Sequence, residues 1–156
     1  MNEIVEKQPA ASIQPDLLER LKQRFEGKTV HRLLRFDIVE LALDRAVLLM
    51  PFHADIDNGS GTVHGGFLAA LADTAVACAL ATNFDGKMGF ATSNLQIHYL
   101  RRARTDVRAL AQVIKKGANT CVSTVEIRDV DNRLCALVTC EYVLTTSVLP
   151  KQGPAG

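Results

Sequence analysis

Residues 58–74, NGSGTVHGGFLAALADT, hold two features able to do chemistry: a lone carboxylate, Asp73, in an alanine-rich apolar run, and His64-Gly65-Gly66 where that run begins. Burying a charge without a partner is costly, so an acid in this setting needs a reason. It could take a proton from water as a general base, or attack an acyl carbon as a nucleophile. The first N–H groups of a helix lack partners within it and sit at its partially positive end. Glycines there remove side-chain bulk, so a carbonyl turning into an oxyanion could approach those amides. Asn58 has a donor and an acceptor with which to orient water or the carbonyl, and His64 is an alternative base. Plainer readings exist for each: a tight loop-to-helix junction, a histidine cap, an Asn-Gly turn, and an acid that meets an arginine.

The surrounding elements must place these groups. PDLLERLKQRFEG (15–27) reads as a short helix, with Pro15 in its first turn, Gly27 at its stop, and Leu17, Leu18, Leu21 and Phe25 on one face. From Arg32 to Phe52 alternation predicts two strands, through Leu34, Phe36 and Ile38, then Leu41 and Leu43, with a turn at Asp44-Arg45. Residues 63–84 show no alternation and predict one long helix, apolar nearly all round and therefore buried. Four strands follow at 89–101, 106–117, 120–130 and 134–144, and Lys116-Gly117 and Asp131-Asn132 mark tight links of an antiparallel meander. The fold class is α+β: one long helix wrapped by a sheet of about six antiparallel strands, plus a short N-terminal helix. Residues 1–14 read as a loose tail, 15–28 as the helix, 30–146 as a single domain and 147–156 as a frayed end.

Spacing constrains the chemistry further. Gly65 and Asp73 are separated by roughly 12 Å along one helix. A reacting carbon needs both groups within about 3 Å. Two copies packed antiparallel about a twofold axis meet that condition, because the start of one helix then lies beside the middle of the other. Ala69, Ala70, Ala72, Ala77 and Ala79 would allow the close approach.

The totals exclude several classes. A net charge of +1 offers no global field for nucleic acid. The longest charge-free stretch, 58–72, is too short and too polar at its start to span a bilayer. Cys78, Cys121, Cys135 and Cys140 lack metal-site spacing, so no metal is expected, and with no charged-then-apolar leader they predict a cytoplasmic protein.

Asn58 through Asp73, in the order N-x-x-G-T-x-H-G-G-x-x-x-x-L-x-D, resembles the signature of PaaI-like hotdog-fold thioesterases. The resemblance covers about residues 30–145 and implies hydrolysis of acyl- or aryl-coenzyme A thioesters, with no cofactor beyond the coenzyme A of the substrate. It implies Asp73 as base or nucleophile and the Gly65 amide as the group polarising the thioester carbonyl. Asn58 would position water or carbonyl on the subunit opposite Asp73, and His64 would support the loop. A hydroxyl position of the family falls on Thr92, with Ser93 the alternative. Where many relatives have Ser-Pro-Ala after this strand, this chain has Arg101-Arg102-Ala103.

Coenzyme A carries phosphates, so a local basic rim is expected. Arg101, Arg102 and Arg104 form one cluster, and Lys115 and Lys116 another. By resemblance, Lys115, Lys116, Gly117 and Asn119 belong to a turn that contacts the nucleotide, and Gly66 and Tyr99 complete the substrate side. The resemblance also implies a homodimer and, with dimers back to back, a homotetramer. Rival readings are a hotdog hydratase or dehydratase, whose Asp or Glu and His spacing is not found around Asp73, and an acyl-CoA sensor without turnover.

Overall fold

In the computed structural model, the described residues are 13, 15–84 and 89–145. The tail and frayed end expected at residues 1–14 and 147–156 lie outside them, apart from residue 13. Helix α1 (Pro15–Phe25) buries Leu21 and is followed by Gly27 at φ 73°, as its stop requires. A second short helix, α2 (Thr29–Leu34), stands where strand was expected. Leu34 and Phe36 are both fully buried, as alternation demanded, but Arg35 joins them from the left-handed region at φ 53° as a helix cap. The period of burial was right, and a helix end produced it instead of a strand.

Strands β1 (Asp37–Ala42) and β2 (Arg45–Met50) form a hairpin. Its turn lies at Leu43-Asp44 rather than Asp44-Arg45, with Asp44 at φ 62° and Leu43 exposed. A bulge between Ile38 and Glu40 breaks the expected alternation of β1. One 3₁₀ turn (Ala54–Ile56) then leads to α3 (Gly65–Ala81), the central helix. Strands β3 (Gly89–Tyr99), β4 (Val107–Lys116), β5 (Thr120–Asp129) and β6 (Leu134–Thr145) complete one antiparallel sheet in the order β1-β2-β4-β5-β6-β3.

Only β4, β5 and β6 form a meander. β3 pairs with β6 at the sheet's far edge and β2 takes the place beside β4. This crossover follows from α3, which separates β2 from β3 and packs against strands from both halves of the sheet. Leu71, Val76 and Leu80 of the helix interlock with Leu48, Val125, Ile127 and Val138, all fully enclosed. The helix is not buried all round: Ala69, Ala70, Asp73 and Ala77 are half-buried, a stripe at helical spacing. Ala72 and Ala79 are enclosed within the protomer and cannot contribute to helix approach between copies. Among the described residues, no helix is long and apolar enough to cross a membrane.

Candidate active site

The loop before α3 is shaped by two side chains. Asp57 Oδ1 accepts from the Gly61 and Thr62 amides at 2.9 and 3.0 Å, while Asn58 Oδ1 accepts from the Ser60 amide at 2.9 Å and its hydroxyl at 2.7 Å. Gly59 and Gly61 sit at φ 86° and 72°, a region that favours glycine. Asn58 therefore spends its carbonyl on the loop, and its Nδ2 amide has no hydrogen bond among the described residues.

At the helix start, His64 is the cap. Its Nδ1 accepts from the Gly66 amide at 3.0 Å, which places the neutral ring's proton on Nε2. Gly66 is thus not a bare amide, contrary to expectation, whereas the Gly65 N–H carries no hydrogen bond among the described residues. Gly65 is also closely packed, which the sequence did not reveal. A Cβ there would stand 3.0 Å from the ring and hydroxyl of Tyr99, whose OH donates to the Gly65 carbonyl at 2.8 Å.

These groups line one cleft of about 570 Å³ that includes Asn58, His64, Gly65, Tyr99, Arg101 and Arg102. Asp73 is not among its walls. Among the described residues, Arg101, Arg102 and Arg104 form no ion pair, and Arg101 donates to the Leu134 carbonyl at 3.3 Å. A second hollow, of about 510 Å³, lies on the sheet's outer face, where Arg45 pairs with Glu40 and Arg128 with Glu126; it holds no predicted site residue.

Asp73 has its own setting. Of the two candidate hydroxyls, Thr92 is the one that reaches the acid: its Oγ1 donates to Asp73 Oδ1 at 2.7 Å. Ser93 instead donates to the Glu141 carbonyl at 3.1 Å. Ser93 is the extra residue of a bulge, since Thr92 faces Tyr142 and Asn94 faces Glu141. The bulge reverses the facing of the strand beyond it. Thr92 and Tyr99 are an odd number of positions apart and would otherwise lie on opposite faces, yet both reach α3.

One close neighbour of Asp73 escaped the sequence reading. Tyr142 OH lies 2.6 Å from Asp73 Oδ1 and 2.8 Å from its main-chain oxygen. Burial first, then the hydrogen bond to Asp73, push the Tyr142 phenol well above its ordinary value. Burial and the nearby Asp73 carboxylate push the Cys140 thiol up to about 12. The available signal was parity: Tyr142 shares the inward row of β6 with Val138, Cys140 and Leu144, and a buried phenol needs a polar partner.

The KKGANT turn lies elsewhere in the protomer. Lys116 Nζ donates to Asn83 Oδ1 at 2.5 Å and stands 5.5 Å over the Phe84 ring, just beyond the C-terminal end of α3. Gly117 N–H and the Asn119 carbonyl are occupied by Thr120 and Leu144. Lys115, Lys116, Gly117 and Asn119 are therefore about a helix length, roughly 25 Å, from the cleft at the N-terminal end. Among the described residues, no group of three or more His, Cys, Asp or Glu could hold a metal ion.

The profile of the thioesterase superfamily matches residues 60–136. The chain is 34% identical to the acyl-coenzyme A thioesterase PaaI of Escherichia coli over 115 residues, 72% of this chain and 80% of that protein. The solved structure of that PaaI protein, from the phenylacetic acid degradation operon, superposes with a TM-score of 0.74 at 27% identity, covering 83% of this chain and 93% of that one. A thioesterase from Haemophilus influenzae superposes with a TM-score of 0.77 at 25% identity, covering 87% and 94%. A Halobacterium salinarum relative is 36% identical over 85 residues, and this match spans 51% of the chain and 56% of that protein.

Proposed function

The chain belongs to the PaaI-like hotdog thioesterases, and from that membership we propose that it hydrolyses acyl- or aryl-coenzyme A thioesters at a site shared by two subunits. The observation that carries this reading is the separation of the two halves of the chemistry. The cleft with Asn58 and the free Gly65 amide excludes Asp73, and the two positions are about 12 Å apart along α3. Each half is tied to the same strand, Gly65 through Tyr99 and Asp73 through Thr92. That strand, β3, is an edge with β6 on one side only, and it carries no Pro or Lys to guard the other.

Pairing β3 with its counterpart about a twofold axis through the middle of the strand sets Thr92 of one copy toward Tyr99 of the other. Asp73 then meets the second copy's Gly65 amide, and two equivalent sites result. The same operation carries the turn at the end of one α3 toward the arginines at the start of the other. Arg101 and Arg102 with Lys115 and Lys116 then form a rim for coenzyme A phosphates. The Gly65 N–H stabilises the oxyanion, Asn58 Nδ2 orients water or carbonyl, His64 holds the helix start, and Asp73 activates water or attacks the acyl carbon. Coenzyme A enters as part of the substrate, and these roles draw on protein groups and water.

Subunit complementation tests the shared site. Asp73→Asn and Asn58→Ala are each expected to lose most turnover. Refolded together in equal amounts, half of the dimers are mixed and each mixed dimer has one intact site, so about a quarter of wild-type activity returns. Recovery of none, or full activity from a monomer isolated by light scattering, rejects the two-subunit site.

A further inference from the structure

Tyr142 has no part in the roles above, yet it makes the shortest contact to the acid. It is 2% exposed, stands opposite Thr92 across the β3–β6 pairing, and shares Asp73 Oδ1 with the Thr92 hydroxyl at 2.6 and 2.7 Å. Two hydroxyl donors occupy the lone pairs of that oxygen, whereas Oδ2 has no hydrogen bond among the described residues. The ring is held from behind: Phe90 meets it edge-on at 5.8 Å, and the Arg24 guanidinium of α1 stands 5.5 Å over Phe90. Its hydroxyl has one proton and two acceptors, Asp73 Oδ1 and the Asp73 main-chain oxygen at 2.8 Å. It can serve the carboxylate when Asp73 is charged and turn to the carbonyl when Asp73 holds a proton, so it is never left without a partner.

We propose that Tyr142 is a positioning residue which, with Thr92, pins Asp73 Oδ1 and leaves Oδ2 as the reacting oxygen. This rests on the reading of Asp73 as the acid of the hydrolysis. In the general-base course, a water proton moves to Oδ2 while the water oxygen forms a bond to the thioester carbon. The C–S bond then breaks with its electron pair on sulfur, and the thiolate takes the proton from Oδ2. The Tyr142 proton is not consumed. If Oδ2 attacks the carbon instead, the same clamp aims it: the C–S bond breaks with its electron pair on sulfur, water then opens the resulting mixed anhydride to free acid and the Asp73 carboxylate, and the thiolate takes the proton that water releases.

Tyr142→Phe removes one oxygen and keeps the ring. With hexanoyl-CoA and benzoyl-CoA as probes, kcat is expected to fall about 10- to 100-fold with KM changed less than twofold, while the fold is kept and the lost hydrogen bond lowers the melting temperature by several degrees. In an Asp73→Asn background the same change should have no further effect. Thr92→Val should act in the same direction, and Thr92→Ser should restore turnover. Wild-type kcat in Tyr142→Phe, or an equal loss with and without Asp73, overturns the proposal. Should Asp73→Asn keep full turnover, the acid's assignment falls instead. The clamp is then decided by a crystal structure of Tyr142→Phe, where a reoriented Asp73 carboxylate supports it and an unchanged one overturns it.

Discussion

Asp73→Asn separates chemistry from folding at a single atom. The asparagine carbonyl oxygen can take the place of Oδ1 and keep both hydroxyl donors, while its NH₂ takes the place of Oδ2, which has no partner among the described residues. Hydrogen bonds to a charged acceptor are worth about 1.5–3 kcal/mol and neutral ones about 0.5–1.5, so weakening two costs about 2 kcal/mol. Against this, the half-buried carboxylate has no cationic partner among the described residues, and a neutral isostere removes its desolvation penalty. The two effects oppose each other, leaving a net change of about 1–2 kcal/mol at most. At about 2–4 °C per kcal/mol for a chain of this size, the melting temperature moves by less than about 8 °C. Turnover behaves differently. A positioned general base contributes about 10²–10⁴ in rate, or about 3–5 kcal/mol of barrier. Asp73→Ala should fold as well, because Tyr142 keeps the main-chain oxygen of residue 73 at 2.8 Å as its acceptor. The assay is thiol release from hexanoyl-CoA and benzoyl-CoA beside a thermal melt of the same sample. A kcat within threefold of wild type at unchanged melting temperature refutes the role, and a collapse of both together makes Asp73 structural.

Further outcomes follow from the same geometry. Arg101→Glu with Arg102→Glu, and separately Lys115→Glu with Lys116→Glu, should each raise KM for acyl-CoA about fivefold, the equivalent of about 1 kcal/mol for an exposed charge pair. Acyl-pantetheine, which lacks the nucleotide, should be insensitive to both, and equal effects on the two substrates would exclude a phosphate rim. Asp129 tests the β5–β6 turn. Burial opposes its ionisation, but the Arg133 amide at 2.9 Å and guanidinium at 2.8 Å outweigh it and hold the carboxyl below its ordinary value of 3.8. A carboxyl lowered in the folded state stabilises above its unfolded value and loses that contribution as pH falls through the folded one. Denaturant melts should find Asp129→Asn less stable than wild type at neutral pH, with the gap closing below about pH 4. Burial raises all four thiols, with Cys140 at about 12, so an aromatic disulfide reagent at pH 8 should label none in the native protein and four after denaturation.

Where reading the sequence succeeded, near neighbours held the information. The helix from Gly65 to Ala81, the left-handed Gly27, and the links between β4, β5 and β6 depend on residues a few positions apart. The order of Asn58, Gly65 and Asp73 carried the resemblance to the family. Where it failed, a local pattern had two solutions. Leu34 and Phe36 keep their burial at a helix end as well as they would in a strand, because the left-handed Arg35 reproduces the same facing.

By itself, then, the chain determines most of its elements and the residue types gathered before and within α3. Tertiary structure decided the strand order, the Ser93 bulge that turns both Thr92 and Tyr99 toward the helix, and the arrival of Tyr142 at Asp73 from 69 positions away. The physical reason is that a strand's facing inverts with each inserted residue, and whether one is inserted depends on the partner strand. Pairing with β6 is a contact between distant segments, and no local periodicity encodes it.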